Sequence, residues 1–266
     1  MRHFFYMIAY DIRFSFWKNR SKWVVAFLIQ VYLCIRIFHE ISWYDSPYDF
    51  FSELWMLMRG ESDNQLTIRS SYWVLFHGYL CFLIGFYPVN EWYLGNGQTS
   101  IRSYSRKRWL LSKLISVAVN VIVYYGGMIG FLLLGNLFYG GTILPESGVL
   151  TVGIPIYNQS VRELWLFFLI LPFWVSLALS ELQVCLSFWV NPVFAFVIIV
   201  AYLIAAIFIP SPSLLGNFAM LYRQNWVSGN QAIDWDIGIL LCTLLLIATI
   251  VIGLVLFEKK DILPEQ

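Results

Sequence analysis

Charged residues are scarce in this chain. Asp, Glu, Lys and Arg make up 12% of its 266 residues, whereas they make up about a quarter of a soluble domain. Such a sequence is not typical of a soluble enzyme or binding domain. The net charge of +1 does not indicate a class of partner. We expect no nucleic-acid partner.

The cysteines show no pattern of a metal site or a disulfide framework. The chain has four, all within apolar runs, and their spacing is neither CxxC nor that of a metal-binding set. We predict that they act as small apolar side chains. They are Cys34, Cys81, Cys185 and Cys242.

Sequences that bind nucleotides or carry catalysis are also missing. The glycine-rich segment Gly95–Thr99 lacks the Lys-Ser/Thr pair of a phosphate-binding loop. The chain has no GxSxG or HExxH sequence, and no predicted span holds paired carboxylates. We therefore predict that this chain is not an enzyme and binds no cofactor itself.

Long apolar runs dominate what is present. Hydrophobic residues make up 59% of the chain, aromatic residues 19%, and the mean hydropathy is +0.69. A helix needs about 20 apolar residues to cross a bilayer core. We predict an all-α integral membrane protein, a single transmembrane domain over residues 1–266, with spans at about 23–38, 72–89, 110–134, 164–188, 192–209 and 237–257.

The first twenty residues differ from the spans that follow. Phe5, Ile8, Ile12 and Phe16 recur at helical spacing, which predicts an amphipathic helix over residues 1–20 that lies at the membrane interface. The alternative is a flexible basic tail.

The distribution of Lys and Arg predicts the orientation. Five precede the first span, five lie in the loop after the second, and two follow the sixth, so that twelve share one side, against four in the opposite loops. Cytoplasmic loops are enriched in Lys and Arg. Both termini should therefore be cytosolic, in a bacterial cell membrane.

Polar residues at three places within or near the spans need partners. We expect His77 to face the bundle interior as a structural residue, with a substrate or proton site as the alternative. We expect Glu181, near the inner end of the fourth span, to reach water or a basic residue. Residues at the outer end of the first span should pair there: Arg36, His39 and Glu40.

Two segments on the outer side are too apolar for ordinary loops. The first is the stretch 50–58, and the second is Ser213–Tyr222, which follows two prolines. We predict that both form half-helices in the outer leaflet and that the second caps an internal cavity.

The basic loop at 90–109 carries a resemblance to a known family. An acidic residue, Glu91, is followed by Ser105-Arg106-Lys107-Arg108-Trp109 and then by Lys113. With the Asn191-Pro192 hairpin and the terminal Phe257-Glu258-Lys259-Lys260-Asp261, this layout resembles permeases of the type-2 ABC exporter family. The resemblance covers nearly the whole chain.

That resemblance implies partners and a docking loop. Such permeases work as two copies, identical or related, with two ATPase subunits on separate chains that bind ATP and Mg. The loop helix at 90–109 would dock into the ATPase. Tyr93, Leu94 and Ile101 would be its apolar anchors, with Glu91, Arg102 and Arg106 as its rim. The alternative is a loop that only anchors at anionic lipid.

The resemblance also implies a translocation path between the two copies, for outward movement of a peptide, toxin, drug or lipid-like amphipath. The alternatives are an ATP-independent channel or secondary transporter with six spans, and a membrane protein for immunity to a peptide; a membrane enzyme is disfavoured. The residues implied as path lining are Phe76, His77, Tyr79, Phe82, Phe86, Phe194, Phe196 and Tyr202.

Overall fold

A computed structural model describes residues 2–44, 48–60, 68–85, 105–144, 149, 150, 154, 156, 159–227 and 233–259. In these ranges the chain is helical, with no β-strand beyond isolated bridges. The helices are α1 (Arg2–Lys18), α2 (Arg20–Ile41), α3 (Phe50–Met58), α4 (Ile68–Ile84), α5 (Arg106–Phe138), α6 (Val161–Ser187), α7 (Pro192–Phe208) and α8 (Trp235–Lys259), with two short 3-10 helices at Leu215–Ala219 and Leu221–Arg223.

Four of the described helices are long and apolar enough to cross a membrane: α2, α5, α6 and α8. Two shorter apolar helices, Ser71–Ile84 within α4 and α7, coincide with the other two predicted spans. The prediction of an all-α membrane protein is confirmed at this level. Residues 86–104, which include the end of the second predicted span and most of the basic loop, lie outside the described residues.

The six apolar helices α2, α4, α5, α6, α7 and α8 alternate in direction along the chain and define two ends of the bundle. At the Lys113 end, Trp109 near the start of α5 packs against Phe188 after α6 and Phe257 of α8, with ring centroids 5.9 Å and 5.3 Å away. At the Glu53 end, Phe51 of α3 packs against Trp165 near the start of α6 at 5.2 Å.

Helix α5 is the centre of the bundle, since it contacts α1, α2, α3, α4, α6 and α8. Small residues let α2 approach it. A Cβ on Gly127 would lie 2.9 Å from the Gln30 amide oxygen, and one on Gly135 would lie 2.3 Å from the Phe38 ring. Glycine at such crossings permits close packing of helices in membranes. The helix ends before Gly140, whose φ of 68° is the left-handed conformation common after a helix C-terminus.

Helix α6 begins with a capping box, in which Ser160 and Glu163 each bond the other's backbone N–H. It widens into a π-helical turn at Leu166–Ile170, just before Pro172. Proline donates no backbone hydrogen bond and crowds the preceding turn, which explains a widened turn there. The predicted hairpin at Asn191-Pro192 is confirmed: Asn191 accepts from the Val193 N–H at 2.9 Å and Pro192 opens α7.

Candidate functional site

A fully buried ion pair joins α1 to α5. Lys113 Nζ lies 2.7 Å from Asp11 Oδ1, and the Ser112 hydroxyl donates to the other oxygen of the same carboxylate. The ammonium of Lys113 also lies 5.3 Å from the centre of the Trp109 ring, a favourable cation–π distance. Three interactions therefore hold the Asp11–Lys113 pair within the first two turns of α5.

More polar contacts continue along the same interface. Ser15 donates to Asn120 Oδ1 at 3.2 Å and accepts from its Nδ2 at 3.0 Å. Asn120 also donates to the Ser116 carbonyl at 2.6 Å. We call the interface formed by Asp11, Ser15, Ser112, Lys113 and Asn120 the polar seam.

The polar seam centres the buried face of α1 on polar residues and not on the predicted apolar stripe. The predicted helix is confirmed, and its fully buried residues are Asp11 and Ser15. Of the predicted stripe, Ile8, Ile12 and Phe16 are half-buried and Phe5 is exposed. In an apolar environment polar side chains are best satisfied by one another. The signal was present in the sequence, since Asp11, Ser15 and Asn19 recur every four residues.

The joint between α1 and α2 is a single residue. Asn19 donates its N–H to the Ser15 carbonyl at 3.1 Å and accepts from the Trp23 N–H at 2.9 Å. The helical hydrogen bonds thus continue through the joint, so α1 extends the first long helix. Its predicted location at the membrane interface stays a prediction.

The predicted ATPase-docking residues fall on both sides of the described boundary. Arg106, the first residue of α5, is half-buried, and Lys107 and Arg108 beside it are exposed. The remaining predicted docking residues lie outside the described residues: Glu91, Tyr93, Leu94, Ile101 and Arg102. The polar seam therefore begins within about one turn of the end of the predicted docking loop.

His77 lies in the interior of the bundle, as predicted. Its Nδ1 lies 2.9 Å from the Trp73 carbonyl, and its Nε2 lies 3.4 Å from the hydroxyl of Tyr125. That hydroxyl also lies 2.7 Å from Ser176 Oγ and donates to the Pro172 carbonyl. The histidine thus belongs to a hydrogen-bonded network that links α4, α5 and α6.

The predicted path residues divide between core and surface. Phe76 and His77 are buried against α5 inside one copy of the chain, and Phe86 lies outside the described residues. Phe82 and Phe194 are exposed. The other three, Tyr79, Phe196 and Tyr202, are half-buried. The hydroxyls of Tyr79 and Tyr202 form hydrogen bonds with the backbone. The translocation path stays a prediction.

A second buried carboxyl lies at the Glu53 end. All nine residues of α3 are buried, and Asp49 caps the helix by accepting from the Ser52 N–H at 2.7 Å. Glu53 is 0% exposed, and its Oε1 accepts from Asn136 Nδ2 at 2.8 Å. Among the described residues, its Oε2 has no hydrogen-bond partner.

The protonation of Glu53 responds to this environment. Burial raises the pKa of its carboxyl to about 8; the Asn136 hydrogen bond lowers that pKa and the nearby Asp49 charge raises it. From the sequence, Glu53 was only one acid of an acidic outer loop. Its position in the apolar stretch 50–58 was the signal of a buried carboxyl.

The first predicted half-helix is present as the buried α3, whereas the second segment forms two short 3-10 helices, Leu215–Ala219 and Leu221–Arg223. At the end of this second segment, the guanidinium of Arg223 donates to the Ala206 and Ile207 carbonyls at 2.7 Å and 2.6 Å and to the Asn217 side chain. Ala206 and Ile207 belong to the last turn of α7, whose carbonyls have no partner within the helix. This buried arginine therefore closes the end of α7.

Two of the three polar residues predicted to pair at the end of α2, Arg36 and Glu40, meet at Tyr72. Tyr72 donates to Glu40 at 2.5 Å and accepts from Arg36 at 3.3 Å, and Arg59 lies 3.8 Å from the same Glu40 carboxylate. The third, His39, is exposed and packs edge-on against Trp43. Glu181, expected to reach water or a basic residue, is buried.

Residues 23–263 match the model of the family described as "Protein of unknown function (DUF2705)". The chain belongs to this family. No curated protein and no solved structure matches the chain. The matched range contains Glu53, Lys113 and every predicted docking and path residue, whereas Asp11 and the rest of α1 precede it.

Proposed function

We propose that this DUF2705 chain is the transmembrane subunit of an ATP-binding-cassette exporter in a bacterial cell membrane. Six spans would carry a peptide, toxin, drug or lipid-like amphipath outward. Two partner ATPase subunits would bind ATP and Mg, and a second permease, identical or related, would complete the path.

The observation that carries this proposal is the polar seam. It joins α1 to the first turns of α5, which directly follow the basic loop expected to bind an ATPase. Trp109 in the same turns stacks on Phe257 of α8. A movement of the loop would therefore be transmitted to α1, α5 and α8 through buried contacts.

The distribution of charge supports a cytosolic Lys113 end. Basic residues in α1, in the first turn of α2 and at the start of α5 gather there, as expected of the cytosolic side. They are Arg13, Lys18, Arg20, Lys22, Arg106, Lys107, Arg108 and Lys113. The six apolar helices that alternate in direction would then place both termini in the cytosol.

A pull-down from gently solubilised membranes tests the proposal. We expect a nucleotide-binding subunit to co-purify in equal number to this chain and to hydrolyse ATP. A stable oligomer of this chain without an ATPase would contradict the exporter.

Coupling is tested by the double variant Arg106→Glu with Tyr93→Ala. We expect ATP hydrolysis to continue while transport is lost, because the loop no longer binds the ATPase in register. The matched control is Arg162→Glu, an exposed arginine at the other end of the bundle. Unchanged transport by the double variant would contradict docking.

A secondary transporter that needs no ATP is the second candidate. The buried ionisable residues His77 and Glu181 favour it, since such residues inside membranes often carry protons or ions. Uptake into proteoliposomes driven by a pH gradient alone would support this candidate over the exporter.

A further inference from the structure

A cavity of about 500 Å³ lies between α2 and α5 at the Glu53 end. Val31, Ile35 and Phe131 line its apolar part, farther from the Glu53 end along α2 and α5, and Ser42 and Tyr48 lie at its polar rim nearer that end. Its volume falls in the range of pockets that hold small organic ligands, about 300–1,000 Å³. The gradient from apolar part to polar rim fits an amphipathic molecule.

Three aromatic rings form the rim. Phe38 and Tyr48 both pack on Tyr139, with centroids 5.1 Å and 4.9 Å away and the rings nearly parallel. Phe38 lies against Gly135, where a Cβ would come within 2.3 Å of its ring. The rings are therefore held in place by close packing on α5.

The Glu53 carboxyl lies behind this rim. Its hydrogen-bond partner Asn136 directly follows Gly135 in the chain. A Cβ built on Gly141 would lie within 2.9 Å of both Asn136 Nδ2 and Tyr48 Cβ, so these two side chains are close to each other. Burial, Tyr139 and then Glu53 raise the pKa of Tyr48. The rim thus lies in the electrostatic field of Glu53.

The cavity also has an asymmetry of charge. Among the residues that the structure describes, its lining contains no Lys or Arg, and its basic residue is His39; Glu53 Oε2 behind the rim has no hydrogen-bond partner. When Glu53 is ionised, a cation over aromatic rings and near this carboxylate is electrostatically favoured. An anion in the same place would be repelled.

We propose that this cavity binds a single-chain cationic amphipath. The ammonium group lies at the rim formed by Tyr48 and Tyr139, and the alkyl chain extends toward Val31 and Ile35. A zwitterionic phospholipid fits less well, because its phosphate would meet the field of the ionised Glu53 without a Lys or Arg in the lining. The proposal does not depend on an ATPase.

Binding is measured on the full chain in lipid nanodiscs, with tritiated decyltrimethylammonium as the probe and empty discs as the correction for partition into lipid. We expect saturable binding. Val31→Trp fills the cavity and should weaken binding about tenfold or more. Val24→Trp is the matched control: both valines are exposed on α2, by 37% at Val31 and 59% at Val24, but only Val31 lines the cavity.

A second pair of variants examines the α5 wall. Gly135→Ala forces the Phe38 ring to move and should weaken binding, whereas Gly130→Ala, which meets nothing within 4 Å, should leave binding unchanged. Equal affinities within both pairs of variants, or the absence of saturable binding, would overturn the proposal.

The charge is examined with Glu53→Gln, which retains the acceptor for Asn136. At pH 9, above the pKa of about 8 to which burial raises this carboxyl, we expect about tenfold weaker binding of decyltrimethylammonium and unchanged binding of decanol, since only the cation gains from the carboxylate. Equal loss of both probes, or loss of neither, overturns the role of Glu53.

The wild-type chain provides a further arm that needs no variant. Decyl sulfate and lysophosphatidylcholine should compete with the cationic probe at least about tenfold more weakly than unlabelled decyltrimethylammonium. Equal competition by lysophosphatidylcholine would make this a lipid site and overturn the proposal. Because no ATPase is present, failure here leaves the pull-down result unaffected.

Discussion

Asp11 at the Lys113 end of the bundle and Glu53 at the opposite end are both buried acids, and their surroundings differ. Asp11 has an ammonium at 2.7 Å and a hydroxyl on its other oxygen. Glu53 has one amide donor, at 2.8 Å, and an acidic neighbour in Asp49, which is buried as well. Equal burial therefore does not mean equal stabilisation: the partners of a buried acid decide how its charged form is favoured.

The difference has an energetic basis. Two opposite charges in an apolar interior offset each other's desolvation only when their geometry is good and other hydrogen bonds satisfy them, and the polar seam meets both conditions. A buried acid without a cation is instead neutralised by a proton. The ion pair at the Lys113 end thus holds α1 on α5, whereas Glu53 at the opposite end can gain or lose a proton.

The largest expected effect comes from breaking the ion pair. Asp11→Ala leaves Lys113 charged and buried without its partner, and we expect the free energy of unfolding to fall by about 3–5 kcal/mol. Thermal unfolding of the purified chain, followed by tryptophan fluorescence, measures the loss.

The control replaces both partners with apolar residues of similar volume. Asp11→Leu with Lys113→Met should recover most of the stability, because neither charge then remains buried alone. In the proposed exporter, this double variant would fold and yet lose coupling of ATP hydrolysis to transport. A double variant as unstable as Asp11→Ala would show that the seam is held mainly by shape.

At the other end, the expected effect depends on pH. The folded state raises the pKa of Glu53 to about 8, so the folded chain holds a proton that the unfolded chain has released between about pH 4.5 and 8. The contribution of Glu53 to stability is complete below the lower value and falls as pH rises through 8. Stability should decrease over this window by a few kcal/mol, since each pKa unit is worth about 1.4 kcal/mol.

Glu53→Gln should abolish that decrease, because the amide does not titrate. Melting temperatures of both chains between pH 5 and 9 measure it. If the melting temperature of the variant fell with pH as steeply as that of the unmodified chain, the titrating group would be a residue other than Glu53. The titratable groups that share electrostatic interactions with Glu53 are Cys34, Tyr48 and Asp49.

The elements of the fold were predictable because lipid imposes a simple rule. A spanning helix needs a continuous apolar run, and Asn191-Pro192 carries its own stop and start signals. The span predicted at 110–134 lies within a longer helix: α5 runs from Arg106 to Phe138. Hydropathy marks the apolar part of such a helix and does not detect the polar turns that extend it at either end.

The partners of polar residues were less predictable. Asp11 and Lys113 are 102 positions apart, and nothing local in either segment identifies the other. Arg223 could be recognised as unusual in an apolar stretch, but its role at the end of α7 depends on a fold that returns it there. Long-range pairing is a property of packing, which a single sequence does not encode in any local pattern.

The smallest expected effect sharpens the comparison from within the polar seam. Ser15 and Asn120 exchange two neutral hydrogen bonds next to the ion pair, and a neutral hydrogen bond contributes about 1 kcal/mol. Ser15→Ala should therefore cost far less than Asp11→Ala, since Asn120 keeps its bond to the Ser116 carbonyl at 2.6 Å. The double variant Asp11→Ala with Ser15→Ala completes a thermodynamic cycle for these two residues, which lie on adjacent turns of α1. If their costs simply add, the ion pair alone fixes α1 on α5; a coupling above about 0.5 kcal/mol would mean that the whole polar seam forms and breaks as one unit.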